Sequence, residues 1–160
     1  MSFHEIIGAV VWLALTFAAA WLGAQFKPDE WYAQLSKPGW NPPNSIFAPV
    51  WTVLYLLMAI SAWLVWKQHG LVLSLIPLGL YVLQLILNAG WSFLFFGRHR
   101  VREALFEMIV LWVFVLLTLI SFWMVLPLAG ALLIPYLLWV TFAMALNVAL
   151  WQANRETVTP

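Results

Sequence analysis

The sequence predicts an all-α fold, an integral membrane bundle of five transmembrane helices with a long structured loop between the first two. Hydrophobic residues make up 65% of the chain, charged residues only 8%, and the mean hydropathy is +0.95. A bilayer core about 30 Å thick is crossed by roughly 20 helical residues, so this chain has room for about five crossings. We interpret residues 1–160 as a single membrane domain.

The spans follow from uncharged runs and from the breaks between them. The first run carries no charge, whereas Lys67 and Gly70 end the second span and the basic cluster at 98–102 separates the third from the fourth. Proline and glycine at 127–130 must divide the last apolar run, because no charge lies within it. We expect Pro77 to bend the third span. The predicted spans are residues 6–26, 46–66, 72–96, 102–125 and 131–152.

Residues 27–45 are interpreted as an ordered lid instead of a flexible linker. Prolines fix φ and remove backbone donors throughout this segment, so only residues 29–36 could form a short helix. Large rings such as Trp31 and Trp40 order beside prolines at a low entropy cost. The alternative is an interfacial loop whose tryptophans lie at the level of the lipid headgroups.

Basic residues are distributed unequally between the two membrane faces. An odd number of spans places the termini on opposite sides, and all of the seven lysines and arginines except Lys67 then fall on the side of the lid and the C-terminus. Basic residues are retained on the cytoplasmic side of short loops. We therefore expect a bacterial cell membrane protein whose lid and C-terminus face the cytoplasm.

Several kinds of site are excluded by composition. The chain has no cysteine, and its net charge of +1 does not suggest a nucleic-acid partner. His4, His69 and His99 all lie near membrane ends, so we expect no catalytic residues and no metal site in the hydrocarbon core. Glu107 is the acid expected inside a span, where it either reaches the interface, pairs with a base, or serves as a functional carboxylate near a cavity.

Helical spacing places aromatic and amide side chains on shared faces beneath the lid. Amides in hydrocarbon need partners, so Gln84, Asn88 and Asn147 are expected to point inward and to bond between helices or to a bound molecule. For Asn88, one turn from Trp91, we favour contact with a ligand. A cavity lined by rings suits a large flat aromatic ligand. The shared faces comprise Trp51, Tyr55, Met58 and Ala62; Tyr81, Gln84, Asn88, Trp91 and Phe95; and Tyr136, Trp139, Ala143 and Asn147.

Motifs spread over all the predicted spans carry a family resemblance. They are WYAQLSKPGWNPP from Trp31, APVW and LY up to Tyr55, PLGLYVLQLILN up to Asn88, FFG at 95–97 and IPYLLW up to Trp139. With these motifs the chain resembles the TspO or translocator protein family, also called tryptophan-rich sensory proteins or peripheral-type benzodiazepine receptors. Tyr55 and Trp91 stand where family members often have phenylalanine.

The resemblance implies a five-helix bundle, commonly a homodimer, that binds tetrapyrroles and aromatic drug-like molecules beneath the first loop. No cofactor is obligatory, and protoporphyrin IX or a haem-type tetrapyrrole is the implied ligand. Cholesterol is a doubtful partner, because the tail 148–155 lacks the tyrosine of the vertebrate motif. By position, the implied ligand contacts are Tyr32, Pro42, Trp51, Tyr55, Asn88, Trp91, Met108, Trp139 and Ala143.

Three classes of function remain open at this point. The first is a membrane receptor or sensor-type protein that binds porphyrins and regulates tetrapyrrole levels or photo-oxidative stress. The second is a transporter of porphyrins or other lipophilic molecules, and the third is a light-dependent enzyme that degrades porphyrins. The sequence favours the first, because it lacks the paired interrupted spans of inverted-repeat transporters and a recognisable catalytic constellation.

Overall fold

The structure, a computed structural model, describes residues 1–158 and is built of helices, with no β-strand in that range. Long apolar helices dominate the chain, as the composition predicts. Those long and apolar enough to cross a membrane are Phe3–Ala24, Asn44–Leu73, Leu75–Gly97, Val101–Val125 and Pro127–Ala153. The predicted all-α bundle with five spans is therefore confirmed.

We number the helices in chain order. They are α1 Phe3–Ala24, α2 Glu30–Gln34, α3 Asn44–Leu73, α4 Leu75–Ser92, α5 Val101–Val125, α6 Pro127–Leu132, α7 Ile134–Ala153 and α8 Arg155–Val158. A π-helical turn, Phe93–Gly97, extends α4. The last two residues of the predicted lid already belong to α3.

The second and third spans meet differently from the prediction. Gly70 has a φ of 70°, which interrupts α3 near its end, and a new helix begins at Leu75 after Ser74. Pro77 consequently lies in the first turn of α4, where a backbone N–H has no intrahelical partner to lose. The prediction of a bend at Pro77 is therefore wrong.

The fifth span also starts earlier than predicted. Leu126 alone is extended, with φ −152° and ψ 114°, and Pro127 then begins α6. A second irregularity at Leu133 separates α6 from α7, and Pro135 lies in the first turn of α7, where proline costs little. The expected break at 126–130 is therefore narrower in the structure.

Helix α1 passes from α3 to α4 along its length. Near its start, the backbone carbonyl of Glu5 accepts a hydrogen bond from the indole of Trp63 (3.0 Å), and the Glu5 carboxylate pairs with Lys67 (3.1 Å). Near its end, Gly23 lies against Ser92 of α4, with room for a Cβ at 3.4 Å from the serine oxygen. This crossing leaves space between α1 and α3 at the end of the bundle that the lid covers.

Candidate ligand-binding cavity

The lid contains a short helix whose two ends are both capped. Asp29 accepts a hydrogen bond from the backbone N–H of Tyr32 at 3.1 Å, which caps the start of α2. The ammonium of Lys37 donates to the backbone carbonyls of Tyr32 (2.6 Å), Leu35 (3.2 Å) and Ala33 (3.3 Å) at its other end. The prediction of a short helix within residues 29–36 is confirmed.

The start of α2 is held against the loop between α4 and α5. His99 lies 2.8 Å from the carboxylate of Asp29 and stacks on Trp31, with ring centroids 4.1 Å apart and an interplanar angle of 16°. The backbone N–H of Tyr32, and then His99, hold the pKa of the Asp29 carboxyl below its usual value. Burial raises the pKa of the Tyr32 phenol. The lid is therefore an ordered surface joined to the bundle.

A cavity of about 790 Å³ lies beneath the lid. Ligand pockets in proteins span about 300–1,000 Å³, so this volume fits one large organic molecule. All the predicted contact residues except Pro42 line it: Tyr32, Trp51, Tyr55, Asn88, Trp91, Met108, Trp139 and Ala143. Pro42 lies outside the lining, half-buried in the extended approach to α3 that ends at Pro43.

Indole and phenol rings form one wall of the cavity. The centroid of Trp51 lies 5.6 Å from that of Tyr55, 6.2 Å from that of Tyr136 and 6.4 Å from that of Trp139, to which it is perpendicular. The indole nitrogen of Trp139 is buried and has no hydrogen-bond partner within residues 1–158. A buried donor without a partner is costly, but this nitrogen has almost no accessible surface, so an acceptor in the cavity reaches the N–H only if the indole shifts.

The amide of Asn88 joins three helices. Its oxygen accepts from the Tyr55 hydroxyl (2.6 Å) and its nitrogen donates to the Tyr136 hydroxyl (2.8 Å), which in turn donates to Gln84 (2.8 Å). Asn88 is only 6% exposed. Asn88 therefore bonds between helices and also lines the cavity, with one N–H and one lone pair left over, and its contact with a ligand stays a prediction.

A second amide bridges the helices closer to the lid. Asn147 accepts a hydrogen bond from the Trp91 indole and donates to the backbone carbonyl of Val101, both at 3.1 Å. Its bonds fix the orientation of Trp91, whose ring also stacks on Phe95 at 5.0 Å. Helical spacing identified these residues as inward-facing but gave no information on which of them pair.

Within the part of the chain that the structure describes, Glu107 neither forms an ion pair nor lines the cavity. Both its carboxylate oxygens are buried without a hydrogen-bond partner among the described residues, and one of them faces Gly90 of α4. It is not among the lining residues of the cavity, so the structure supports none of the three alternatives for Glu107, namely reaching the interface, pairing with a base, or serving the cavity. Within residues 1–158, no three His, Asp or Glu side chains group closely enough to hold a metal ion.

The side of the cavity formed by α1 was missed by the sequence analysis. Phe17 and Trp21 of α1, and Lys27 just after it, line this side. Their contribution depends on the way in which α1 crosses from α3 to α4. That crossing is a tertiary property, and the sequence signals for it are the glycines at positions 8 and 23, where α1 lies against α3 and α4.

Known proteins match the chain over nearly its whole length. The model of the TspO/MBR family matches residues 10–152. Protein CrtK of Rhodobacter capsulatus is 40% identical over 150 residues, which cover 91% of each chain. The tryptophan-rich protein TspO of Chlorobaculum tepidum is 38% identical over 94% of this chain and 98% of its own, and the translocator protein of Bos taurus is 39% identical over 93% and 91%. The family resemblance is confirmed, and the chain belongs to the TspO/MBR family of multi-pass membrane proteins.

Proposed function

We propose that this protein is a membrane receptor of the sensor type that binds a planar tetrapyrrole, or a similar flat aromatic molecule, beneath its lid. The observation that carries the proposal is a cavity of about 790 Å³ with Trp51, Trp91 and Trp139 in its lining. Family membership supports a sensor- or translocator-type role in a membrane.

Ring geometry supports a flat ligand. Aromatic pairs prefer offset-stacked or edge-to-face contacts with centroids about 4.5–7 Å apart, and the rings around Trp51 already adopt such spacings with one another. A planar macrocycle offers two large faces to these rings. The spare N–H of Asn88, a residue of the lining, is suited to an acceptor at the edge of the ligand.

The close packing in the half of the bundle away from the lid favours ligand binding over transport. There Tyr81 and Phe122 are fully buried and stack at 5.8 Å, and the hydroxyls of Tyr81 and Thr16 share a hydrogen bond of 2.6 Å. Close packing of this kind fills the interior of the bundle at this level, and the groove of about 490 Å³ at that end is lined by residues of α1, α3 and α4 that do not line the cavity beneath the lid. A cavity that packed side chains close at one end favours binding of a ligand over its transport through the bundle.

Titration of the purified protein with protoporphyrin IX, followed by quenching of tryptophan fluorescence, tests the proposal. Trp51→Ala and Trp139→Ala should each weaken binding about tenfold, since a stacked ring contributes roughly 0.5–1.5 kcal/mol beyond its buried area. Trp123→Ala is the matched control, because Trp123 lies outside the cavity on α5 with half of its side chain exposed. Equal affinities for all three folded variants would reject the proposal.

We also propose the orientation in which the lid faces the cytoplasm. The lid, the loop around His99 and the end of α7 lie at one end of the bundle, because Asp29 contacts His99 and Ser36 contacts Asn154. All the lysines and arginines except Lys67 belong to these segments or their immediate neighbours. Basic residues are retained on the cytoplasmic side.

Assembly is a further part of the proposal. We propose that two copies associate in the membrane through lipid-facing helix surfaces and not through the lid. The inner face of the lid is already occupied, since Tyr32 and Leu35 are buried against Phe95 and its neighbours. Chemical cross-linking in native membranes should trap a dimer, and monomer alone at every protein density would contradict this.

A further inference from the structure

Among residues 1–158, Lys27 is the one charged residue that lines the cavity. It is exposed, and among the described residues it has neither a hydrogen-bond nor an ion-pair partner. Several other charged groups on this face are engaged elsewhere: Lys37 caps α2, Asp29 pairs with His99, and Arg100 lies 3.9 Å from Glu103. The cavity therefore has a single unpaired positive charge at its rim.

The position of Lys27 relative to the bilayer is fixed by the end of α1. That helix ends at Ala24, so Lys27 follows the last turn of a membrane span and lies at the level of the lipid headgroups. The cavity reaches the molecular surface on this side, because its lining includes Trp21, which is 64% exposed, and the exposed residues Ala24 and Ala48. Lys27 thus lies at the boundary between the apolar interior of the cavity and the headgroup region of the membrane.

The remaining polar groups of the lining are neutral. Asn88 and Asn147 are occupied between helices, and Thr52 bonds to a backbone carbonyl within α3. If an aromatic ligand in the cavity carried an acid group, Lys27 would therefore be the oppositely charged residue of the lining for that group. Hydrogen bonds between an ammonium and a carboxylate are shorter and stronger than neutral ones, and partial exclusion of water strengthens them further.

We propose that Lys27 is the carboxylate-binding group of this cavity and selects ligands that carry an acid group at the edge of a flat aromatic ring system. The rings lie against Trp51 and Trp139, and the carboxylate remains at the interface beside Lys27. This inference rests on the proposed function and adds to it the chemical class of the ligand. An amphipathic aromatic acid in a bilayer already has this orientation, with its rings in the hydrocarbon and its charge at the surface.

The test compares protoporphyrin IX, a diacid, with its dimethyl ester, which has the same ring system and no charge. Both are titrated against the protein in nanodiscs of phosphatidylcholine, and each variant is compared with the wild type for the same ligand. Lys27→Gln should weaken binding of the diacid about tenfold and leave the ester unchanged, while Lys27→Arg should keep both affinities. Arg102→Gln removes the same charge from the same membrane face without touching the cavity, and should change neither.

Four results would overturn the inference alone, and a fifth would reject the proposed function as well. Lys27→Gln binding the diacid as the wild type does, or losing both ligands equally, would show that the ammonium does not recognise the carboxylate. An effect that appears only in nanodiscs containing anionic lipid would show that Lys27 serves headgroup phosphates instead. If the ester and the diacid bind the wild type equally and Trp51→Ala weakens both, the inference fails while the proposed function stands. Binding of neither ligand rejects both.

Discussion

Ser36 in the lid and Asn154 at the end of α7 are separated by 118 positions in sequence and exchange two hydrogen bonds of 2.9 Å each. The amide of Asn154 accepts from the backbone N–H of Ser36 and donates to its carbonyl, as a neighbouring strand would. A third bond of 2.8 Å, to the carbonyl of Leu150, fixes the asparagine on its own helix. Asn154 therefore clamps the second half of the lid, as His99 holds the first.

Asn154→Ala should release this clamp. Leaving a partly buried backbone N–H and carbonyl without partners costs about 1–3 kcal/mol, so the lid should open more often than in the wild type. Hydrogen exchange at the Ser36 amide, whose proton is donated to Asn154, should become about tenfold faster or more. Gln152→Ala, an exposed change two residues away, is the control, and unchanged protection at Ser36 in Asn154→Ala would contradict the clamp.

The Tyr136 hydroxyl should matter more for stability than the Tyr55 hydroxyl. Tyr136 both accepts from Asn88 and donates to Gln84, whereas Tyr55 makes a single bond to Asn88. Interhelical hydrogen bonds in membranes contribute roughly 0.6–1.7 kcal/mol each, so Tyr136→Phe should lower the free energy of unfolding about twice as much as Tyr55→Phe. Unfolding in mixed detergent micelles measures both, and the reverse order would contradict the network.

Gly8 permits the close approach of α1 to α3. A Cβ atom at this position would overlap the six-membered ring of Trp66. Gly8→Ala should therefore lower the free energy of unfolding by about 1–3 kcal/mol, the usual cost of overpacking. The double variant Gly8→Ala with Trp66→Leu should recover part of this loss, because the smaller side chain makes room.

Gly79 on α4 provides the matched control for Gly8. A Cβ there has nothing within 4 Å among the described residues, so Gly79→Ala should be neutral or slightly stabilising. Thermal unfolding of the three variants in one detergent gives the comparison. Equal melting temperatures for Gly8→Ala and Gly79→Ala would show that α1 and α3 are not closely packed at that point.

The cap of the lid helix should weaken in acid. The Tyr32 N–H and His99 lower the pKa of Asp29 from its usual 3.8, so the contribution of the carboxylate is fully present above pH 3.8 and is lost as pH falls through the lower folded-state pKa. The NMR shift of the Tyr32 amide proton, which is donated to Asp29, should titrate below pH 3.8. Asn also caps helices, so Asp29→Asn should keep the lid folded and abolish this titration, and an identical titration in that variant would contradict the assignment.

The spans and the inward-facing rings were predictable because each depends on local pattern. Scarcity of charge located the helices, and helical spacing placed Trp51, Asn88 and Trp139 on cavity-facing surfaces. The partner of each side chain was not predictable. Two examples are the bond of Asn88 to Tyr136 and the pairing of Ser36 with Asn154. Both depend on how segments that are distant in the sequence approach one another, and residue spacing carries no information on that approach.

Helix ends set a second limit on prediction. The sequence indicated the break at Gly70, but apolar residues dominate 71–76, so hydropathy gave no sign that a second break lies at Ser74 and that Pro77 therefore falls in a first turn. Lys27 was counted only as a charge that orients the chain. Its place in the lining became visible once the path of α1 was known.

The orientation of the lid can be tested with single cysteines, because the chain has none of its own. Gly39 in the lid has no atom within 4 Å of a Cβ among residues 1–158, and Gln68 is exposed at the opposite end of α3, so cysteine should be tolerated at both. If the lid faces the cytoplasm, a membrane-impermeant maleimide added to intact bacterial cells should label Gln68→Cys and leave Gly39→Cys unlabelled. Inside-out vesicles should give the reverse pattern, which controls for the reactivity of each thiol. Labelling of Gly39→Cys in intact cells would place the lid outside and would show that the basic residues do not determine the orientation of this protein.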